Sequence, residues 1–171
     1  MSGAPVRESA KTLAQMRPLF SDQAAADVMD GEQVLYRVQW WETVPAGTVG
    51  GLYWGVTRIE PGRIGDEFYM THGHFHADPS RAEYYGTVEG EGMLILMDRS
   101  RKTWAERMSA GSLHYIDGRH AHRVVNTGDA PLVFWACWPS DAGYDYSTIA
   151  SEGFGARVLK TGDGPTLVAQ E

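Results

Sequence analysis

A single cysteine, Cys137, stands in the whole sequence. No disulfide can therefore close within the chain, a disulfide-stapled scaffold is excluded, and a reducing cytoplasm is the expected setting. Long hydrophobic runs are missing as well. The longest, residues 132–138, is far shorter than the ~20 residues that cross a bilayer, and the opening MSGAPVRESA lacks the apolar core of a secretion signal. An unexported protein with no membrane partner is expected. Positive charge is scarce: 15 Lys plus Arg face 22 Asp plus Glu, a formal charge of −7. That balance repels phosphate backbones and anionic lipid, so no nucleic-acid partner is expected. It still permits one small phosphate-bearing substrate, because a metal and a few local donors outweigh a screened net charge.

What is present is a globular balance rich in turn-formers, with 43% hydrophobic residues, 20 Gly and 8 Pro in 171 residues. This length fits one domain. Residues 1–32 read as an N-terminal arm, with short helices over residues 9–20 and 22–29 and Ser21 or Asp22 as an N-cap. From Val34 the texture becomes β-branched and aromatic: LYRVQWW, LYWGVTRI, EFYMTHGHFH, EYYGTV, GMLILMD, TWAERM, LHYI, AHRVVN, LVFWACW and FGARVL. About ten strands at sandwich or barrel spacing follow from these runs, an all-β fold over residues 33–160. Pro61-Gly62, residues 89–92, Ala110-Gly111, Asp117-Gly118 and residues 127–129 supply turn signals where hairpins need them. Residues 161–171 read as a turn, a final edge strand and a loose tail.

His74 and His76 flank Phe75, and the two-residue period of a strand turns both imidazoles to one face. A helix would set the pair about 200° apart, so the pair suits a metal only on a strand. Glu83 begins EYYGTV, which is expected to pair antiparallel with the His strand after the loop of residues 77–82. A later strand, Ala121–Asn126, turns His122, Val124 and Asn126 to one face. Three imidazoles and one carboxylate leave two octahedral positions open, which suits Fe²⁺, Mn²⁺, Ni²⁺ or Zn²⁺ and a chelating substrate. A closed structural zinc site would be richer in Cys. A lone His-x-His is ordinarily a surface or hydrogen-bonded pair. The joint pattern of His74, His76, Glu83, Gly90, Gly111, His122 and Asn126 tips the reading to one divalent ion per chain.

The same residues resemble the two cupin motifs. His74-x-His76, Glu83 and Gly90 resemble the first, with six residues between His76 and Glu83 where the family usually has three or four. Gly111, Asp117, His122 and Asn126 resemble the second, with Asp117 and Arg119 where Pro and Gly are usual. More closely, residues 33–159 are similar to the cupin-type glucose-6-phosphate isomerases of archaea and some bacteria, notably in EPGRIGDEFYMTHGHFH, EYYGTVEGEGMLIL, AHRVVNTGDAPLVF and DAGYDYSTI. The resemblance implies a cupin double-stranded β-helix and a metal, Fe²⁺ foremost, on His74, His76, Glu83 and His122. It implies phosphate contacts at Thr57, Thr71 and Gly73, and a sugar site lined by Tyr36, Tyr85 and Tyr146. Glu83, Tyr85 and Tyr146 are then the expected catalytic residues. Trp138 replaces a pocket Tyr and Tyr144 replaces a His; both are expected to touch substrate. Trp keeps an N–H donor and loses an acceptor, while Tyr titrates near ~10 rather than ~6.5.

The activity implied is interconversion of glucose 6-phosphate and fructose 6-phosphate. Either a cis-enediol route with Glu83 as base or a hydride shift would serve. Two rivals stay open: a non-haem iron dioxygenase, and a non-catalytic sugar- or metal-binding module. His72, His114 and His120 are not expected to be ligands. Tyr85 rather than Tyr84 should line the site, Arg123 should point away from it, and Cys137 should be a small buried hydrophobe. Aromatic strands with exposed members make a homodimer the expected assembly.

Overall fold

A computed structural model describes residues 5–170. The chain opens as a strand, β1 (Val6–Thr12), so residues 9–12 are not helical as the composition predicted. Their Ala, Lys and Thr are compatible with either state. Antiparallel pairing with β2 (Val34–Glu42) decides it, with Ser9 opposite Val38 and Lys11 opposite Tyr36. Helix survives only in pieces: α1 (Leu13–Met16), one 3₁₀ turn over Arg17–Leu19, and α2 (Gln23–Asp27). Asp22 caps α2, its carboxylate accepting the Ala25 N–H at 2.9 Å.

β3 (Leu52–Ile59) pairs with β2, and the short β4 (Arg63–Ile64) and β5 (Glu67–Phe68) pair with each other. Then come β6 (Glu83–Glu89), β7 (Glu91–Met97), β8 (Thr103–Ser109) and β9 (Leu113–Ile116). They are followed by β10 (Ala121–Asn126) and β11 (Leu132–Pro139), then α3 (Ser147–Glu152). β12 (Ala156–Thr161) and β13 (Gly164–Ala169) close the described chain as a hairpin. All these strand pairs are antiparallel. One sheet runs β1-β2-β3-β11-β6-β9, a second β10-β7-β8 and a third β13-β12-β5-β4.

The turn signals do not all close hairpins. β6 and β7 are consecutive yet pair in different sheets, as do β8 and β9, and β10 and β11. At each of these corners the chain crosses from one sheet to the other, which wraps the two into a cupin-type jelly roll. Gly90 permits the first corner: its φ is +83°, and a Cβ there would stand 2.4 Å from the Pro131 carbonyl. Asn126 fixes the last. Fully buried, it donates to the Ile59 and Ala130 carbonyls at 3.0 Å each and accepts the Gly128 N–H at 3.0 Å. The hydrophobic core holds Met16, Leu35, Ile59, Leu94, Met108 and Leu132, none of them measurably exposed. Each such side chain contributes roughly 1.5–3 kcal/mol on burial.

The run EFYMTHGHFH is not one strand. β5 ends at Phe68, and beyond it only isolated bridges remain, Met70 to Val125, His74 to His122 and Phe75 to Asp145. Gly73, at φ +78°, breaks the extended path between them.

Candidate metal centre

His74 and His76 leave the irregular segment after Gly73, Glu83 is the first residue of β6, and His122 is the second of β10. One nitrogen from each imidazole and one carboxylate oxygen all lie within 4.8 Å of one another. Atoms bound at ~2.1 Å to a common ion stand about 3–4 Å apart, so small adjustments bring all four to one cation. Glu83 arrives by a different pairing from the one expected: β6 is hydrogen-bonded to β9 and β11, not to the His segment. The His segment instead bridges β10, His74 and His122 exchanging backbone hydrogen bonds at 3.3 and 3.1 Å.

The tautomers point to a cation. The Arg81 carbonyl can only accept, so its contact with His76 Nδ1 puts a proton on that nitrogen. Nε2 then presents its lone pair to the Glu83 carboxylate 3.2 Å away. On the other side His122 Nε2 lies 2.6 Å from the same oxygen, yet it is buried without a partner in hydrogen-bond geometry. Two imidazole nitrogens crowding a carboxylate 4% exposed leave a place for a proton or a metal ion. The donor set of three nitrogens and one oxygen suits a divalent transition metal with open positions.

Electrostatics agree. Burial alone would push the Glu83 carboxyl up, but the His122 and His76 imidazoles hold it well below the usual carboxylate range. Burial and neighbouring imidazoles drive His74 well below its ordinary value, so it is neutral and ligand-ready. His76 moves the other way: burial lowers it, and the Glu83 carboxylate more than offsets this. Wherever His76 is protonated, an incoming ion must displace that proton. Metal affinity should fall as pH drops through the raised His76 value, about tenfold per pH unit for each proton displaced, and level off above it. Titration with Mn²⁺ at several pH values checks this, and a pH-independent affinity would contradict it.

Three of the four, His74, Glu83 and His122, open onto a cavity of about 780 Å³. Tyr36, Thr57, Thr71, Gly73, Tyr85, Trp138, Tyr144 and Tyr146 line it together with His74, Glu83 and His122. Tyr36 accepts the His72 N–H at 3.4 Å, and burial pushes its hydroxyl up to about 12, so it stays protonated. Thr71 Oγ1 accepts the Val124 N–H at 3.0 Å, which leaves its own proton free to donate. Tyr85 is buried with its ring centroid 5.8 Å from that of His122, and burial and the Glu83 charge raise it well above its usual value. Tyr144 and Tyr146 stack at 5.8 Å near the mouth, about half exposed. The indole N–H of Trp138 reaches the Tyr144 hydroxyl, so the two departures from the family pattern touch each other.

Outside the cluster, His114 bonds Glu106 at 2.7 Å and His120 packs edge-on to Trp104. His72 lines the cavity but binds the Gly73 carbonyl through Nδ1. Tyr84 faces out, 47% exposed. Arg123 turns behind the site, donating to the His72 carbonyl at 2.7 Å and lying over the Phe154 ring. Cys137 is only partly buried, not the core residue expected, because it sits on the outer face of β11. Several lining residues went unforeseen, among them Ser9, Lys11, Trp40, Glu42, Tyr53 and Ser140. Period-two alternation in β2 carried a signal for Trp40; the helix-friendly composition of residues 9–12 carried none for Ser9 and Lys11.

Comparison with known proteins adds independent findings. A family model described as "Glucose-6-phosphate isomerase (GPI)" matches residues 10–171. The glucose-6-phosphate isomerase of Thermococcus litoralis is 36% identical over 156 residues, covering 90% of this chain and 81% of that protein. The enzyme of the same name from Pyrococcus furiosus is 37% identical over 157 residues, covering 90% and 82%.

Proposed function

This chain belongs to the glucose-6-phosphate isomerase family, and from that premise we propose that it interconverts glucose 6-phosphate and fructose 6-phosphate with one divalent metal ion. The observation that carries the reading is the convergence of His74, His76, Glu83 and His122 at one point, three of them opening onto a cavity lined by hydroxyl donors. Bound by those four residues, a divalent ion supplies Lewis acidity toward the oxygens on C1 and C2 of the sugar. Tyr85 and Tyr146, both protonated, hold hydrogen bonds to the sugar hydroxyls. Thr57, Thr71 and the Gly73 backbone receive the phosphate. Hydrogen then passes between C1 and C2. On an enediol route Glu83 carries that proton; on a hydride route it stays a ligand.

Fe²⁺ is our choice of ion, with Mn²⁺, Ni²⁺ and Zn²⁺ as the alternatives that this donor set accepts. A second copy of the chain is our choice of partner, in a cytoplasmic setting. Its support is a row of side chains on the outer face of the six-stranded sheet. Trp41, Trp54, Cys137, Tyr84 and Tyr115 stand in register across five strands. Trp54 also stacks on Trp135 at 5.2 Å. A largely aromatic face of this kind suits an interface.

A coupled assay of fructose 6-phosphate conversion, with several divalent metals and after chelation, tests the function. Metal-dependent glucose 6-phosphate formation is expected; oxygen uptake without isomer formation would overturn it. Thr71→Val should raise KM about tenfold with kcat little changed, as loss of one donor to a charged group predicts. An unchanged KM would remove Thr71 from the phosphate site.

A further inference from the structure

We infer that Lys11, on the N-terminal strand, is the cation of the phosphate end of this cavity and sets the preference for a phosphorylated over an unphosphorylated sugar. The inference rests on the sugar-phosphate reading and adds a residue to it. Lys11 is the one Lys or Arg among the residues lining the cavity. In β1 it stands opposite Tyr36 of β2, and Ser9 stands opposite Val38, which pairs in turn with Thr57 of β3. Side chains of directly opposed residues share a face with their Cβ atoms about 5 Å apart. Lys11 is thus the cross-strand neighbour of Tyr36 on the cavity wall, with Thr57 on the same wall one strand beyond β2. Tyr36 is itself bonded to the His72 N–H, between Thr71 and Gly73.

Charge on the lining singles out the same side chain. Apart from the histidines, the charged lining residues are Lys11, Glu42 and Glu83. Glu83 belongs to the metal cluster, and Glu42 is paired with Arg7 at 2.9 Å. Among the described residues no carboxylate lies within ion-pair distance of Lys11. A dianionic phosphate held by threonine hydroxyls alone keeps its charge uncompensated; an unpaired ammonium on the same face supplies the compensation. This chain carries 15 basic residues against 22 acidic ones, so a free lysine at a cavity wall is not a product of abundance.

The test compares the metal-loaded full chain with its Lys11→Met and Lys11→Arg variants. Readouts are KM and kcat for fructose 6-phosphate, turnover of unphosphorylated fructose, and competitive inhibition by inorganic phosphate. Lys11→Met should raise KM for fructose 6-phosphate and weaken phosphate inhibition, each about tenfold at low salt, since the ammonium is partly exposed and screened. Its kcat and its activity on fructose should be unchanged, and Lys11→Arg should restore KM to within about threefold. Added salt should raise KM in the wild type and hardly at all in Lys11→Met. If the wild type turns over fructose 6-phosphate and Lys11→Met matches it in KM and phosphate inhibition, the Lys11 assignment fails alone. A wild type indifferent to both fructose 6-phosphate and phosphate overturns the sugar-phosphate reading and the assignment together.

Discussion

His122→Ala should leave a chain that retains no stoichiometric metal after desalting and that isomerises fructose 6-phosphate at least about 10³-fold more slowly. The size of the effect follows from the packing of the donors. His122 Nε2 is 2.6 Å from the Glu83 oxygen and, by orphan geometry, has no other partner. Removing the ring takes away one donor and opens a void in a site 1% exposed. It also strips Glu83 of the first of the two imidazoles that hold its carboxyl low. His76→Ala should do the same by removing the second. Metal content by elemental analysis, read beside the coupled assay, decides the matter: full content and an intact rate in either variant would refute the ligand assignment.

Gly73→Ala should lower the melting temperature by roughly 5–10 °C and weaken metal retention, although residue 73 offers no donor side chain. At φ +78° a side chain is strained whatever the space, and here there is none. The added Cβ would stand 2.8 Å from Phe154, 2.9 Å from Arg123 and 3.0 Å from the His122 carbonyl. Strain and crowding together cost about 2–4 kcal/mol, and about 1 kcal/mol moves the melting temperature of a chain this size by ~2–4 °C. Relief by shifting the backbone would travel to the metal site, because His74 and His122 are locked to each other by two backbone hydrogen bonds. Thermal melts with and without Mn²⁺ measure both effects. Coincident melting curves for the variant and the wild type would show that this turn carries no strain.

The quartet was legible in the sequence because period-two spacing and motif intervals are local: His74 and His76 share a face whether or not their strand is long. The bounds of β10, Ala121–Asn126, were legible for the same reason. Whole-chain pairing was not. Nothing in residues 9–12 prefers strand to helix; β2 lying alongside decides it. Glycine turn signals mark where the chain bends, but not which sheet the next strand joins, so the corners at Gly90, Gly111 and Gly128 read as hairpins. Gly73 hid a break in EFYMTHGHFH, because a left-handed glycine inside an apolar run looks like any other. Lys11 was invisible as a cavity residue until β1 was known to be a strand.

Burial grades along the cavity wall, from His122 at 1% exposed to Tyr146 at 45%. On the sugar-phosphate reading, the best-screened stretch of this wall is the one that faces C1 and C2. Aldose and ketose differ only at those two carbons, so both isomers present the rest of the molecule to the same surroundings, and one bound pose can serve the reaction in either direction.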